Sequence, residues 1–100
     1  MNVQITSRKF KAKDSLKNDI TEQLQTLKKF NDDILDANVI LSYVHQKDSI
    51  KTVEINLSIP GKILTAEETS DEYGKALTKT ITKLERQLKT LKSKRIAKSR

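Results

Sequence analysis

The stretch from Ser70 to about Arg95 leaves this chain few choices other than one long amphipathic helix. Tyr73, Leu77, Ile81, Leu84, Leu88 and Leu91 recur at spacings of four, four, three, four and three. At 100° per residue they fall within about 80° of arc, a single apolar stripe. Lys75, Lys79, Lys83, Arg86 and Lys89 fall within roughly 120° on the opposite side, a cationic strip about 20 Å long. Ser70 reads as the capping residue, and Asp71 and Glu72 as acids placed where the helix dipole is positive. Glu85 is the only acid that the sequence places near the strip. One face of the helix is therefore built for burial and the other for solvent or a polyanion.

The charge is local to this element. From Gly74 to Arg100 ten Lys or Arg stand against one acid, a net +9. The whole chain is +7, so residues 1 to 73 carry ten bases against twelve acids, or −2. Basicity concentrated on one helix and its extension points to a nucleic acid or another polyanion.

The preceding residues predict what the helix packs on. Met1 to Arg8 alternates, with Val3 and Ile5 on one side and Gln4 and Thr6 on the other, the pattern of a half-buried strand. Lys9 to Lys13 is a basic connection, and Asp14 or Ser15 is expected to cap a helix whose apolar stripe is Leu16, Ile20, Leu24 and Leu27, closed by Phe30. Asn31, Asp32 and Asp33 end it. Asp36 to Val44 is a second strand, His45 to Ser49 a turn, and Val53, Ile55, Leu57 and Ile59 mark a third strand by strict alternation. Pro60-Gly61 is a turn dipeptide, and Ile63 to Thr69 a fourth strand with Leu64 and Ala66 inward.

The order β-α-β-β-β-α predicts an α+β fold. A strand-helix-strand start favours a parallel first pair, and short turns favour antiparallel pairing for the rest, giving a four-stranded mixed sheet. With one apolar stripe per helix and polar outward strand positions, both helices should pack on one face. The expected division is a domain over 1–91 and a basic tail over 92–100, where Lys92, Lys94, Arg95, Lys98 and Arg100 meet no acid and the helix should fray into a mobile end.

Several functions are disfavoured by what the chain contains. It has no cysteine, so neither disulfides nor thiolate metal sites are available. Its two glycines, Gly61 and Gly74, form no phosphate-binding loop, and no metal-ligand cluster is visible. His45, the single histidine, is read as a solvated turn residue, and Asp32 and Asp33 as turn formers. We therefore expect a non-enzyme without cofactor, metal or small-molecule substrate. No apolar run approaches 18 residues and the N-terminus lacks a signal-peptide core, so a cytoplasmic protein without membrane contact is expected. An interfacial helix would want Trp or Phe on its apolar side, and a coiled coil more heptads than are present. With four aromatic residues and Phe30 taken as buried, no stacking platform for single strands is expected, so duplex RNA fits the strip better. A general duplex-RNA module and a protein-interaction domain docking an acidic partner are the competing readings.

Beyond these physical readings, Val3-Gln-Ile-Thr-Ser7, the segment Ala66-Glu-Glu-Thr-Ser-Asp-Glu-Tyr73, and Lys83-Leu-Glu-Arg-Gln-Leu88 with Lys89 and Lys92 resemble the ribosome hibernation promoting factor and ribosome-associated inhibitor family. The resemblance covers residues 1 to about 95. It implies a sheet with two helices on one face, similar to double-stranded RNA-binding domains. It also implies a partner, the small ribosomal subunit, whose messenger and transfer RNA channel family members occupy, silencing translation in stationary phase or stress. By position, Lys83, Arg86 and Lys89 match the family's basic residues facing ribosomal RNA, Lys75 and Lys79 extend the strip, and Lys92 continues it. After the tyrosine the family usually has small residues followed by an aliphatic and an acid; here Gly74-Lys75-Ala76-Leu77-Thr78 adds a base and lacks the acid. The basic ending is similar to the point where long members continue into a linker and a dimerising domain; both a natural short form and an excised N-terminal domain stay open. A chain without that second domain is expected to be monomeric and unable to pair ribosomes.

Overall fold

The computed structural model describes residues 1–44 and 50–98, with side chains as far as Leu91. Strand β1 (Asn2–Ser7), helix α1 (Asp14–Thr26), strands β2 (Asp36–Val44), β3 (Ile50–Ile59) and β4 (Lys62–Ser70) and helix α2 (Tyr73–Lys98) follow in that order; a 3-10 turn, Leu27–Lys29, extends α1. The four strands form one sheet in the order β1-β2-β3-β4. β1 runs parallel to β2, and β2–β3 and β3–β4 are antiparallel, so the α+β architecture and mixed sheet expected from the sequence are present. The turn expected over residues 45–49 lies outside the described residues.

The registers put every core side chain of the sheet on one face. Val3 pairs with Ala37 and Ile5 with Val39; Val39 pairs with Ile55, and Ile55 with Ala66. Ala37, Val39, Leu41, Val53, Ile55, Leu57, Ile59, Leu64 and Ala66 are buried there. Ile20 and Leu24 of α1, Leu27, and Leu77, Ile81, Leu84 and Leu88 of α2 complete the same core. The intervening residues, including Gln4, Asn38, Glu54, Asn56 and Thr65, are left at least partly open on the far face. This is the two-layer arrangement that period-2 strands and single-stripe helices require.

β3 and β4 are joined by two residues, Pro60 and Gly61, with Gly61 at φ 78°. Proline presets the first central position and glycine accepts the positive φ of the second. Lys9 also has positive φ, 66°. It lies where the chain leaves β1, and the bend carries Phe10 onto Tyr73, ring centroids 5.3 Å apart and planes 17° from parallel.

Both helix starts differ from expectation. The cap position of α1 is Lys13, whose extended backbone offers its carbonyl to the Leu16 and Lys17 amides, while no side chain caps the helix; Asp14 lies inside the first turn. Ser70 does not cap α2. It is the last residue of β4, held extended by pairing with Lys51, and its hydroxyl donates to Asp71 Oδ1 at 3.0 Å. α2 starts at Tyr73 instead, after Glu72, whose carbonyl receives the Ala76 amide at 3.1 Å. Asp71 and Glu72 thus precede the first turn rather than occupy it. Cross-strand hydrogen bonds outcompeted the local capping signal. At its other end α2 is helical as far as Lys98, past the point where fraying was expected.

Candidate nucleic-acid interface

α2 lies across β3 and β4 and beside α1, and this seat decides where its cations point. Besides the expected stripe, Ala76 and Thr80 are fully buried. On a helical wheel they widen the buried arc to about 140° and rotate its centre by roughly 30° toward β4. Thr80 can lie in an apolar layer because its hydroxyl has two acceptors, the Ala76 carbonyl at 2.8 Å and the Val53 carbonyl of β3 at 3.3 Å. An alternating hydrophobic count misses such a residue, since a threonine reads as polar until its hydroxyl finds partners.

The rotation divides the five strip residues. Lys75, Lys79, Arg86 and Lys89 remain on the outer side, and all are exposed. Lys83 is carried to the border with β4. Its ammonium meets Glu68 Oε1 at 2.7 Å and donates to the Glu67 carbonyl at 3.3 Å. One turn on, Gln87 Nε2 donates to the Thr65 carbonyl at 3.0 Å. Two α2 side chains thereby satisfy carbonyls on the open edge of β4, where an unpaired ladder would otherwise be exposed. The Lys83 hydrogen bond is the main reason that the Glu68 carboxyl titrates below its ordinary value, and Lys79 adds a weaker pull.

Lys75 pairs with Asp71, four residues earlier and ahead of the helix, at 3.3 Å, both side chains well exposed. The Asp71 carboxyl is held below its ordinary value first by the Ser70 hydroxyl and then by Lys75. Lys89 sits over the face of Phe30, 5.2 Å from its centroid. Phe30 is only half-buried, so its ring offers a cation a surface. Lys79 and Arg86 make no hydrogen bond or ion pair among the described residues, and both stand exposed. The Lys92 side chain lies outside the described residues. Glu85 was the only acid legible near the strip; Glu68 comes from β4 and adjoins it only through folding.

The second feature is an aromatic cluster at the start of α2. Phe10 stacks on Tyr73 and meets Tyr43 edge-on at 5.7 Å, while Lys51 lies 5.9 Å from the Tyr73 centroid. Tyr73 donates its hydroxyl to the Ser42 carbonyl at 3.0 Å, and burial raises its pKa. The rings face one another, so the group closes the end of the core and ties the helix start to β2. Among the described residues there is no cluster of acidic or imidazole side chains fit to hold a metal, and no helix long and apolar enough to cross a membrane.

Chemically, this surface is a set of solvated cations on a rigid rod backed by a packed sheet, the means by which proteins contact phosphates without reading base edges. Known proteins share this sequence and fold. The family model for Sigma 54 modulation protein / S30EA ribosomal protein matches residues 3–96. A ribosome hibernation promotion factor from Deinococcus radiodurans is 31% identical over 93 residues, 91% of this chain but 49% of the relative, so the chain spans about half the length of the curated relative it matches. A ribosomal subunit interface protein from Coxiella burnetii superposes with a TM-score of 0.83 at 26% identity, covering 93% of this chain and 99% of that one. The N-terminal domain of Protein Y from Thermus thermophilus superposes with a TM-score of 0.81 at 25% identity, covering 91% and 99%. Sequence and fold converge on one assignment: the chain belongs to the Sigma 54 modulation protein / S30EA ribosomal protein family.

Proposed function

We propose that this chain is a non-enzymatic, cytoplasmic hibernation factor that binds the small ribosomal subunit through the outer face of α2 and inhibits translation by occupying the messenger and transfer RNA channel. The observation that carries the reading is the exposed arc of α2, where Lys75, Lys79, Arg86 and Lys89 stand with no acid between them except at its margins. Lys79 and Arg86 supply uncommitted charge to ribosomal RNA phosphates, Lys89 and Lys75 flank them, Lys83 contributes from the β4 border, and Lys92 extends the line. The sheet behind supplies the bulk that excludes messenger and transfer RNA. Such binding is steered by phosphate charge and shape rather than by base sequence.

The test is sedimentation of starved-cell extracts through sucrose gradients. Co-sedimentation with small subunits or whole ribosomes is expected, and the Lys79→Gln/Arg86→Gln variant should move to the top fractions. Recovery of the unaltered protein only in the top fractions would overturn the proposal.

A further inference from the structure

The carboxylate of Glu68 is oddly placed for a protein whose helix is to hold RNA. β4 alternates inward at Leu64, Ala66 and Glu68, and the first two are buried under α2. Glu68 continues that parity, which brings its carboxylate under the flank of the helix instead of out on the far face. There it takes the Lys83 ammonium at 2.7 Å, with side chains 28% and 49% exposed respectively. Half of the Lys83 side chain thus faces solvent while its charge is already neutralised. Any phosphate approaching Lys83 must displace Glu68 or tolerate its negative charge.

We propose that Glu68 is a built-in competitor of RNA phosphate for Lys83, and so sets how tightly the α2 face holds its ribosomal partner. The inference rests on the reading of α2 as the RNA-binding surface and adds to it a residue that restrains affinity. The geometry makes the competition local. The second partner of Lys83 is the Glu67 carbonyl, a fixed backbone acceptor that keeps the lysine near β4 even when Glu68 is removed. The Glu67 side chain points to the opposite face of the sheet, where it pairs across strands with Glu54 and touches no strip residue among the described ones. Two adjacent acids therefore lie on opposite faces: the Glu68 carboxylate meets the cation and that of Glu67 does not.

The experiment measures affinity of the full chain for purified small ribosomal subunits at fixed salt, for Glu68→Gln, Lys83→Gln, both together, Glu67→Gln and Arg86→Gln. Glu68→Gln should bind about two- to fivefold tighter, the scale of one partly exposed ion pair. That gain should vanish in the Lys83→Gln background and be smaller for Glu67→Gln. An unchanged or weaker Glu68→Gln, or an equal gain without Lys83, overturns the competition while leaving the RNA reading intact, provided Arg86→Gln loses affinity. Should Arg86→Gln bind as tightly as the unaltered chain, the RNA reading itself fails and the competition with it. Glu68→Gln keeps the size of the side chain, and its melting temperature, compared with that of Lys83→Gln, separates slackened packing from altered binding.

Discussion

Three α2 residues within seven positions do unrelated work. Thr80 is buried with its one hydroxyl proton shared between two carbonyls, Leu84 is fully buried in the core, and Arg86 stands exposed. Leu84→Ala should cost about 2–5 kcal/mol, the lost contacts plus the cavity left behind. Thr80→Val keeps the shape and removes the hydroxyl, and should cost about 0.5–1.5 kcal/mol. Arg86→Ala should change stability by less than about 0.5 kcal/mol, yet weaken ribosome binding by roughly tenfold, the scale of one charge-assisted contact. Denaturant melts together with a binding assay separate the three; equal destabilisation by Leu84→Ala and Arg86→Ala would place the helix in the wrong rotation. Glu68 adds a pH signature. Its folded pKa is depressed, so its stabilising pairing with Lys83 is complete above the ordinary value of 4.5 and is lost as pH falls through the depressed value. The melting difference between the unaltered chain and Glu68→Gln should be constant at neutral pH and close on the acid side.

At the scale of the element, α2 is a core helix with an exposed cationic face, and its two flanks are anchored differently. On the β4 side Lys83 and Gln87 bond to strand carbonyls; on the α1 side Lys89 covers Phe30. Cations already engaged release fewer counterions on binding than free ones. If Lys79, Arg86, Lys89 and a few residues beyond Lys89 contact phosphates, about four to six are neutralised, and log affinity should fall against log salt with a slope of about −3 to −5. Lys79→Gln/Arg86→Gln should make that slope shallower by about 2. A slope unchanged in the variant would mean that this arc does not meet the phosphates.

For the whole molecule, charge is segregated between the two faces. The outward strand positions carry Asp36, Glu54 and Glu67 and, among the described residues, no lysine or arginine; Glu54 and Glu67 even stand directly opposite each other. A polyanion is therefore drawn to the helix side and repelled from the sheet side, which orients the protein before contact. If the sheet then acts as bulk in a shared channel, messenger and transfer RNA compete with it by mass action. In a translation assay at fixed ribosomes, inhibition should be relieved by excess transfer RNA and messenger, and Lys79→Glu/Arg86→Glu should not inhibit. Inhibition indifferent to both would rule out occlusion through α2. Lys83→Glu is a poorer probe, because it sets a second carboxylate beside that of Glu68.

Periodicity along the chain was enough to read the strand order, the sheet's inner face and the α2 stripe. Val53, Ile55, Leu57 and Ile59 each needed only their own spacing to be assigned inward, and Leu77, Leu84 and Leu88 likewise. These are properties of local geometry, a period of 2 or 3.6, which the residues carry with them. What only the tertiary structure decided depends on partners distant in sequence. Ser70 stayed in β4 because Lys51 pairs with it; Thr80 was buried because Val53 offered a carbonyl; Phe10, Tyr43 and Tyr73 met because a bend at Lys9 and two strand ends converge. Lys83 and Arg86, three residues apart on one basic face, acquired different surroundings for the same reason. The sheet edge passes beneath one flank of the helix and not the other, and an electrostatic partner is set by distance through space, which spacing along one helix does not contain.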